Sequence, residues 1–421
     1  MAHGTTSTHP IFRPGQLGEL TLRNRVIKTA TYEGMVHERL PTAQLLRHHR
    51  DLARGGVGMT TLAYCSVSPD GRTFADQLVM SPEAAPHLRK IVEAVHAEGS
   101  AASIQLGHCG GFSKNSELGR ARPAGASAGV NAYGLMSGMP RADAMTEDDM
   151  DRTADEFASA AKLAKETGFD AVELHLGHGY LLSQFISPHR NHRRDRFGGA
   201  LEGRMRFPLD VVRRVRAAVG PSYPILAKTN LDDGVKGGLH AEEAAEAAVM
   251  LEDTGVTALV LSGGLVSHSA LYLLRGGRPL RQMIEVEKNP MQKVALAVFG
   301  PIFVKQVPFE PLFFLRDARL VRARVKLPLV LLGGITSMDD LGRAMDEGFD
   351  FVAMGRALIH DPGLIGAYER GERVTSGCTP CNRCITEMDR PGGVCCALVP
   401  EQQRQRQEEV RAGLHRRLAA D

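Results

Sequence analysis

The sequence predicts a (β/α)₈ barrel, and three observations favour that fold class. First, eight short apolar runs alternate with amphipathic helical stretches between Arg25 and Tyr368, which is typical of a closed parallel barrel or a doubly wound open sheet. Second, residues 29–34 after the first run lack the G-x-G-x-x-G pattern with which an open sheet binds a dinucleotide. Third, polar or glycine-rich residues follow many of the runs, and a barrel opens all its strand ends onto one face.

Each predicted strand is a short run of β-branched or apolar residues. In chain order the runs are Val26–Thr31, Gly58–Cys65, Ala101–Leu106, Ala171–His175, Ile225–Thr229, Ala258–Ser262, Leu327–Leu332 and Phe351–Met354. Helical patterns follow most of them, at Thr42–Arg54, Pro82–Ala97, Glu147–Thr167, Leu201–Val219, Ala241–Asp253 and Met338–Asp346. The third helix begins with a capping box at Thr146 and ends at Gly168.

Three segments interrupt the repeat. Residues 11–23 predict a hairpin that closes the bottom of the barrel. Residues 109–145 form a long loop after the third strand, and residues 265–325 an insertion after the sixth, with its own apolar pattern that includes Phe299, Ile302, Phe303, Phe309, Phe313 and Phe314. Long loops on the catalytic face commonly serve as lids or substrate walls.

The chain divides into a barrel over residues 1–375 and a cysteine-rich extension over 376–421. The extension ends in a charged, glutamine-rich stretch, residues 402–417. Its periodic Val410, Leu414 and Leu418 predict a helix that docks on a partner, with a solvated helix as the alternative.

Composition limits the classes of partner. The chain has 51 Lys+Arg against 48 Asp+Glu, a formal net charge of +3, so charge gives no support to a nucleic-acid binder. An apolar content of 43% argues against wholesale disorder. No run approaches the roughly 18–20 apolar residues of a membrane span. The first ten residues lack the basic and apolar regions of a signal peptide, so we expect a cytoplasmic protein.

Five of the seven cysteines lie between Cys378 and Cys396, whereas Cys65 and Cys109 stand alone. Such a cluster in a cytosolic chain indicates metal ligation rather than disulfides. Cys378, Cys381 and Cys384 have the C-x₂-C-x₂-C spacing that can enclose a [4Fe–4S] cluster. We assign Cys396 as the fourth ligand, with Cys395 as the alternative; bound zinc and free thiols remain open.

Glycines end the last two predicted strands. Gly333 and Gly334 follow the seventh, and Gly355 and Arg356 follow the eighth. In barrels these two loops often bind a phosphate through backbone N–H groups, which need glycine for close approach. Arg356 can add a charge-assisted contact. The alternative is that the glycines are plain turn residues.

His175 and His178 lie three residues apart after the fourth predicted strand, and Tyr180 follows. Two imidazoles can donate hydrogen bonds to a substrate oxygen or ligate a metal, but no H-E-x-x-H is present. The chain has 16 histidines, so a structural pair is the alternative.

Two adjoining motifs carry a family resemblance: His-x-x-His-Gly-Tyr-Leu-Leu-x-Gln-Phe-x-Ser-Pro at 175–188, and Asn-x-Arg-x-Asp-x-Phe-Gly-Gly at 191–199. With Gln105-Leu-Gly-His-Cys-Gly and Gly333-Gly-Ile, they closely resemble the Old Yellow Enzyme family of FMN-dependent oxidoreductases. The likeness extends over roughly residues 11–375 in the family's order. It implies a (β/α)₈ barrel that holds FMN at its carboxyl-terminal face.

The resemblance also implies which residues contact FMN. Ala30 and Thr31 match positions beside the flavin, Tyr64 a backbone contact to the ring edge, and Gln105 a hydrogen bond to the pyrimidine end. Lys228 matches a cation near N1 and O2, where positive charge favours anionic reduced flavin. Gly333, Gly334, Gly355 and Arg356 match the phosphate cradle.

For catalysis, the resemblance implies that His175 and His178 hold a substrate's oxyanion while hydride from flavin N5 reaches the β-carbon. Tyr180 matches the proton donor to the α-carbon. We therefore expect NAD(P)H-driven reduction of the C=C bond of an α,β-unsaturated carbonyl compound. Two positions depart from the family: Tyr32 stands where many relatives carry Cys or Thr, and Gly203 where Asn is usual.

The cysteine segment resembles the iron–sulfur segment of the trimethylamine dehydrogenase and 2,4-dienoyl-CoA reductase branch. The alternative function is therefore oxidation of an amine or related donor, with electrons leaving through the cluster to an external carrier. Two further alternatives are a phosphate-binding lyase or isomerase without flavin, and a non-catalytic redox partner. The natural substrate, the choice between NADH and NADPH and the presence of a homo-oligomer remain open.

Overall fold

The computed structural model of the chain describes residues 8–416 and residue 418. Eight parallel strands close into a barrel, and each pairs with its neighbours in chain order. We name them β1 to β8: Val26–Lys28, Met59–Ser66, Ala101–Gly107, Ala171–Leu176, Ile225–Asn230, Ala258–Ser262, Leu329–Leu332 and Phe351–Met354. The predicted fold class is confirmed. β4 to β8 are buried along their whole length, as expected when helices cover a parallel sheet.

The helices that pack around the barrel are Ala43–Arg54, Ala85–Ala97, Glu147–Thr167, Leu201–Val219, Ala241–Glu252, Leu315–Arg322, Met338–Asp346 and Leu364–Glu369. Shorter helices are Leu181–Ile186, Arg356–His360 and Cys384–Glu387. The capping box predicted at Thr146 is present, because its hydroxyl accepts from the Asp149 N–H and the Asp149 carboxylate accepts from the Thr146 N–H. Gly168 ends that helix with a left-handed φ of 108°, which favours glycine.

A hairpin lies under the barrel, as predicted. Its strands, Gly15–Leu17 and Leu20–Leu22, pair antiparallel. A Cβ on Gly15 would lie 2.6 Å from the Phe351 ring, so the hairpin packs tightly against the start of β8. Leu17 and Leu22 are buried there. The opposite face of the barrel is therefore the open one.

Both predicted loop segments contain regular structure. Residues 109–145 carry a small sheet of Ala124–Gly125, Gly129–Val130 and Arg141–Ala144. Residues 265–325 fold into helices Val266–Leu273, Leu280–Val286, Pro290–Phe303 and Leu315–Arg322. The last of these packs on Ala241–Glu252 and β7, so it is the barrel's own helix after β6 rather than part of an insertion. Phe313 and Phe314 are buried, whereas Ile302 is exposed.

The cysteine-rich extension packs on the loop that follows β1. The Val394 N–H donates to the Glu33 carbonyl at 2.7 Å. A Cβ on Gly34 would lie 2.0 Å from the Met388 carbonyl oxygen, so only glycine permits this approach. The extension thereby clamps the chain beside the mouth of the barrel.

The tail forms a helix, Pro400–Arg411, that docks on the chain's own first barrel helix. Glu409 is buried, accepts from Gln44 Nε2 at 2.9 Å and pairs with Arg47. Leu414, one of the periodic residues expected to dock, is 44% exposed. Polar contacts therefore hold the helix itself, while Leu418, another of the periodic residues, packs against the core beyond its end. Within residues 8–416 and 418, no helix combines the length and apolarity needed to cross a bilayer.

Candidate functional site

The loop after β4 brings the predicted catalytic residues together at the barrel mouth. His175 lies at the end of β4, and Tyr180 caps the helix Leu181–Ile186. The His175 ring centroid is 5.0 Å from that of His178 and 4.5 Å from that of Tyr180. His175 is buried, and His178 and Tyr180 are partly exposed residues. The His175 ring thus lies against both of the others.

His178 has a left-handed backbone, with φ of 63°, which costs a residue other than glycine about 1–3 kcal/mol. Two contacts hold it in place: its N–H donates to Asn230 Oδ1 at 3.0 Å, and its carbonyl accepts from the Val266 N–H at 3.0 Å. Its Nε2 lies 2.8 Å from Ser262 Oγ. The ring position is therefore set by β5 and β6 as well as by its own loop.

The electrostatic surroundings keep the three groups uncharged. Burial, aided by repulsion from His178 and Lys228, holds the pKa of His175 well below its ordinary range. Burial and then the Lys228 charge lower the pKa of His178 to about 3. Burial raises the pKa of Tyr180 above its ordinary value. Because the Gly177 N–H donates to His175 Nδ1 at 3.4 Å, His175 Nε2 carries the proton.

A buried carboxylate, Glu173, links the two predicted flavin-binding residues inside the barrel. Its Oε1 lies 2.8 Å from Lys228 Nζ and accepts from Gln105 Nε2 at 2.7 Å. The strand register produces this contact, because Glu173 pairs with Gln105 and His175 with Lys228. The donation fixes the Gln105 amide, so its oxygen faces away from Glu173.

The sequence reasoning missed Glu173. Its signal was available, because a residue two positions before His175 in a strand points to the same face.

The predicted residues after β1 also reach the mouth. Lys228 Nζ donates to Thr29 Oγ1 at 3.0 Å. Thr31 Oγ1 is buried and has no hydrogen-bond partner among the described residues. Ala30 is half-buried beside it. This unsatisfied hydroxyl indicates that a polar group belongs here.

Tyr64 contributes its ring as well as its backbone. The phenol oxygen donates to the Gly71 carbonyl at 3.1 Å and lies 2.7 Å from Thr73 Oγ1. The backbone carbonyl accepts from Gln77 Nε2 at 3.2 Å. The ring centroid is 5.0 Å from that of Tyr180. Tyr64 therefore forms one wall of the volume that holds Tyr180.

The glycine loops adjoin an arginine that the sequence reasoning did not single out. A Cβ on Gly333 would lie 2.7 Å from the Phe314 ring and 2.8 Å from the Phe313 ring. The Arg275 guanidinium stacks over Phe313 at 4.7 Å and, less closely, over Phe314 at 5.8 Å. Arg275 thus places a cation over the rings that border the glycine loop.

Arg356 faces the cysteine segment. Its Nη1 donates to the Arg275 carbonyl at 2.8 Å and to Asn382 Oδ1. It also lines a cavity together with four cysteines: Cys378, Cys381, Cys384 and Cys396. Cys395 is not among the lining residues. The structure therefore places the predicted phosphate ligand between the glycine loops and the predicted metal ligands.

Across the described part of the chain, no three His, Cys, Asp or Glu side chains converge as ligands of one metal ion would. Ligands of a zinc ion meet at a single point, whereas ligands of an iron–sulfur cluster each bond a different iron atom. Four thiols, of Cys378, Cys381, Cys384 and Cys396, nevertheless line one cavity.

A row of aromatic rings runs outward from Tyr180, and we call it the aromatic wall. Phe112 contacts Tyr180 with centroids 5.9 Å apart, and Tyr133 stacks on Phe112 at 4.4 Å. Phe74 continues the row, 6.1 Å from Tyr133, and Tyr32 follows at 5.3 Å from Phe74. The wall thus joins the loop after β1 to the segment 109–145.

The sequence profile of the NADH:flavin oxidoreductase / NADH oxidase family matches residues 10–271, more than half of the chain. The chain belongs to this family. This NADH:flavin oxidoreductase is 41% identical over 385 residues to 4,4'-dithiodibutanoate disulfide reductase of Rhodococcus erythropolis, covering 90% of the chain and 93% of that relative.

A second relative, the multifunctional alkene reductase/demethylase OYE of Caballeronia cordobensis, is 29% identical over 87% of the chain and 50% of its own length. The chain spans about half the length of several curated relatives that it matches. A solved 2-naphthoyl-CoA reductase complex shares the fold, with a TM-score of 0.78 at 23% identity, over 94% of the chain and 58% of that structure.

Family membership makes the protein an FMN-dependent oxidoreductase and confirms the Old Yellow Enzyme resemblance. Family membership also rules out the alternative of a phosphate-binding lyase or isomerase without flavin. The mouth residues fit FMN: a buried cation at Lys228, an oriented amide at Gln105 and the unsatisfied Thr31 hydroxyl supply the polar partners that a flavin's pyrimidine edge requires.

Proposed function

We propose that this NADH:flavin oxidoreductase uses NAD(P)H to reduce the C=C bond of an α,β-unsaturated carbonyl compound. The observation that carries the proposal is the convergence of His175, His178 and Tyr180 at the mouth, all three uncharged. This set combines donors for a carbonyl oxygen with a protonated acid, which are the groups that an enone needs.

The histidines would bind the carbonyl oxygen. His175 Nε2 carries a proton, because its Nδ1 accepts from Gly177, and this N–H can donate to the oxygen. Donors already aimed at the oxygen stabilise the negative charge that develops there during reduction. Burial first, and then the nearby Lys228 charge, lowers the pKa of both rings, so the donors stay neutral over a wide pH range.

Tyr180 would donate the proton that completes the reaction. The β-carbon would receive a hydride, which is the chemistry that FMN would supply when bound and reduced by NAD(P)H. A proton from the Tyr180 phenol at the α-carbon then balances the addition of two hydrogens across the double bond. The raised pKa of Tyr180 keeps the phenol protonated until the carbanion-like carbon needs it.

For FMN itself we propose the residues that the resemblance indicated: Ala30, Thr31, Tyr64, Gln105 and Lys228 around the ring, and Gly333, Gly334, Gly355 and Arg356 for the phosphate. We add Arg275 as a second phosphate cation, because its guanidinium stacks on the rings that border Gly333. Glu173 holds Gln105 and Lys228 in position.

The test separates the two half-reactions. Purified protein that is colourless and gains no absorbance with FMN would contradict the family assignment. Anaerobic flavin reduction by NADH or NADPH, followed by reoxidation with an enone, gives each rate separately. We expect Tyr180→Phe to slow reoxidation and to spare reduction. Tyr223→Phe is the matched control. Tyr223 lies just before β5, outside the mouth, and its hydroxyl donates to the Phe169 carbonyl. Equal damage to both half-reactions would refute the proton-donor role.

A second candidate is reduction of an organic disulfide, favoured by the 41% identity to 4,4'-dithiodibutanoate disulfide reductase over 93% of that relative. Hydride transfer to one sulfur would break the S–S bond, and Tyr180 would protonate the departing thiolate, giving two thiols. Reoxidation of the reduced protein by this disulfide but not by enones would select this candidate.

The third candidate is oxidation of an amine or related donor, with electrons passed through a [4Fe–4S] cluster to an external carrier. Four thiols lining one cavity beside Arg356 support the cluster. Iron and sulfide analysis of anaerobically purified protein tests it. We expect Cys396→Ser to lose iron and Cys395→Ser to keep it, since Cys395 is not among the lining residues. Wild-type protein without iron would rule out the cluster.

A further inference from the structure

We propose that this protein docks on anionic lipid bilayers through the helix Pro290–Phe303. The inference concerns a surface outside the mouth and does not depend on the reaction proposed above. Docking here means that one face of the helix enters the headgroup region while the chain stays on one side of the bilayer. That face is formed by four exposed apolar side chains, which we call the apolar stripe: Met291, Val294, Val298 and Ile302.

The apolar stripe runs along one side of its helix. Its residues follow one another at intervals of three, four and four positions, which is the spacing that places side chains on the same face of an α-helix. All four side chains are large and apolar, yet each is between 58% and 65% exposed. Exposed apolar side chains that lie side by side in this way mark a surface that binds a protein or a membrane.

The opposite side of the same helix packs on the chain. Gly300 is buried, and it lies two positions before Ile302, which is roughly 200° around the helix axis. A Cβ on Gly300 would lie 2.5 Å from a methyl group of Leu280 in the preceding helix, Leu280–Val286. Arg278 Nη1 also donates to the Pro301 carbonyl at 3.1 Å. The helix is therefore fixed through its inner side, and the apolar stripe faces solvent.

Charge identifies the kind of partner. Residues 278–309, which contain both helices, hold five basic residues and two acidic ones, a net charge of +3. Lys293 lies within the helix Pro290–Phe303 and Lys305 just after it, and both are exposed. No Asp or Glu occurs from residue 288 to residue 309. Cations beside an apolar helix face bind the phosphate headgroups of an anionic bilayer while the face itself enters the apolar region.

The acids of this region lie at its start. Glu285 pairs with Arg281 at 3.1 Å, and Glu287 accepts from the Asn289 N–H at 2.8 Å. Asp389 of the cysteine-rich extension lies near Lys288. Among the described residues, the lysines with a carboxylate oxygen within 4.0 Å are Lys28, Lys162 and Lys228. Lys293 and Lys305 are not among them, so their charges are available to lipid headgroups.

A second copy of the chain fits this surface less well than a bilayer does. The same helices on the other copy would bring the same net positive charge, and like charges repel. Four side chains of one helix are also far fewer than the roughly 20–30 residues that each partner contributes to a stable protein interface. One amphipathic helix is, in contrast, enough for reversible binding to a lipid surface.

The base of the two helices is attached to the cysteine-rich extension. The Gly276 N–H donates to the Val307 carbonyl at 2.8 Å, which closes the base. The Gly277 N–H donates to the Pro380 carbonyl at 2.8 Å, and Asn382 Nδ2 donates to the Gly277 carbonyl at 2.9 Å. Docking through the apolar stripe therefore attaches the bilayer to the part of the molecule that holds the cysteine-lined cavity.

Sedimentation of the FMN-loaded full chain with vesicles tests the inference. We expect binding to vesicles of equal parts phosphatidylcholine and phosphatidylglycerol, at least about tenfold weaker binding to phosphatidylcholine alone, and release by rising salt. Val298→Asp should weaken binding to the anionic vesicles at least about tenfold, because it places a charge on the inserted face. Val130→Asp is the matched control, because Val130 is 70% exposed on the segment 109–145, and it should bind as the wild type does.

A second set of variants tests the charges. Replacing both Lys293 and Lys305 by Gln should weaken binding to the anionic vesicles about tenfold and leave binding to phosphatidylcholine alone unchanged. Lys162→Gln changes an exposed lysine on an outer helix and should alter neither. All these positions are exposed, so each variant should keep a urea midpoint close to that of the wild type.

Light scattering without vesicles distinguishes a lipid surface from an interface between copies. A wild-type dimer that Val298→Asp converts to a monomer would overturn the inference, because a second copy would then cover the apolar stripe. Wild-type protein that binds neither kind of vesicle, or both equally well, would also overturn it. The same conclusion follows if Val298→Asp and Val130→Asp bind the anionic vesicles with equal affinity.

Discussion

Replacing Glu173 by Gln tests how the barrel interior holds the residues proposed to contact the flavin. The change keeps the shape of the side chain and removes the negative charge of its carboxylate. Lys228 Nζ lies 2.8 Å from the carboxylate, and both side chains are nearly inaccessible, at 1% and 3%. At an effective dielectric constant near 20, the attraction over this distance is about 6 kcal/mol. Desolvation offsets part of it, so breaking the buried pair should cost about 3–5 kcal/mol.

The assay is urea unfolding of the FMN-saturated protein, read as the shift in midpoint. Glu98→Gln is the matched control, because Glu98 lies at a similar distance, 2.7 Å, from Arg54, which is 60% exposed. Solvent screens that pair, so the control should shift the midpoint far less. The reasoning is refuted if Glu173→Gln and Glu98→Gln shift the midpoint equally, or if the first costs less than about 1 kcal/mol.

Three further predictions concern the mouth and the tail. Gly107→Ala should slow flavin reoxidation at least about tenfold, because the new Cβ would lie 2.9 Å from the Tyr64 ring and displace this ring, which packs against Tyr180 with centroids 5.0 Å apart; an unchanged rate in stopped-flow would contradict this. Because burial and then the Lys228 charge lower the pKa of His178 to about 3 in the folded protein, the unfolded chain, with an ordinary pKa of about 6.5, binds more protons between these values, so stability should fall as pH drops from about 6.5 toward 3. Urea midpoints across this range should fall less steeply in His178→Asn, and parallel curves would refute the assignment. Glu409→Gln should speed tryptic cleavage of the helix Pro400–Arg411 by removing the charge that pairs with Arg47, whereas Glu401→Gln, on an exposed pair with Arg404, should not; equal digestion would contradict the docking role.

Periodicity predicted the barrel well because each strand is a short buried run between polar turns. The boundaries of β6 and β8 agree with the predicted runs. β1 ends three residues earlier than predicted, at Lys28. The β-branched run continues to Thr31, but these residues leave the sheet, and the Thr29 hydroxyl accepts from Lys228 instead. Sequence alone does not distinguish a strand residue from a site residue of the same type.

For the site, the catalytic trio was predictable because it lies within six residues of one strand end. Its assigned roles remain predictions. Glu173 could also have been predicted, because it lies two residues before His175 and side chains two residues apart in a strand share a face. Arg275 was not predictable, because it lies in a long segment whose path depends on tertiary packing. Likewise, no local sequence pattern within residues 265–325 distinguishes the barrel helix Leu315–Arg322 from the helices that precede it.

The contact between Gly34 and Met388 has a consequence for biosynthesis. The loop after β1, which carries Tyr32 of the aromatic wall, is clamped by residues that leave the ribosome much later. At typical elongation rates, the interval between the two residues is roughly 20 to 70 s. During that time the early barrel strands are exposed without the segment that closes this edge of the mouth. This edge of the barrel mouth is therefore completed only after the residues around Met388 have been made, well after all eight barrel strands have left the ribosome.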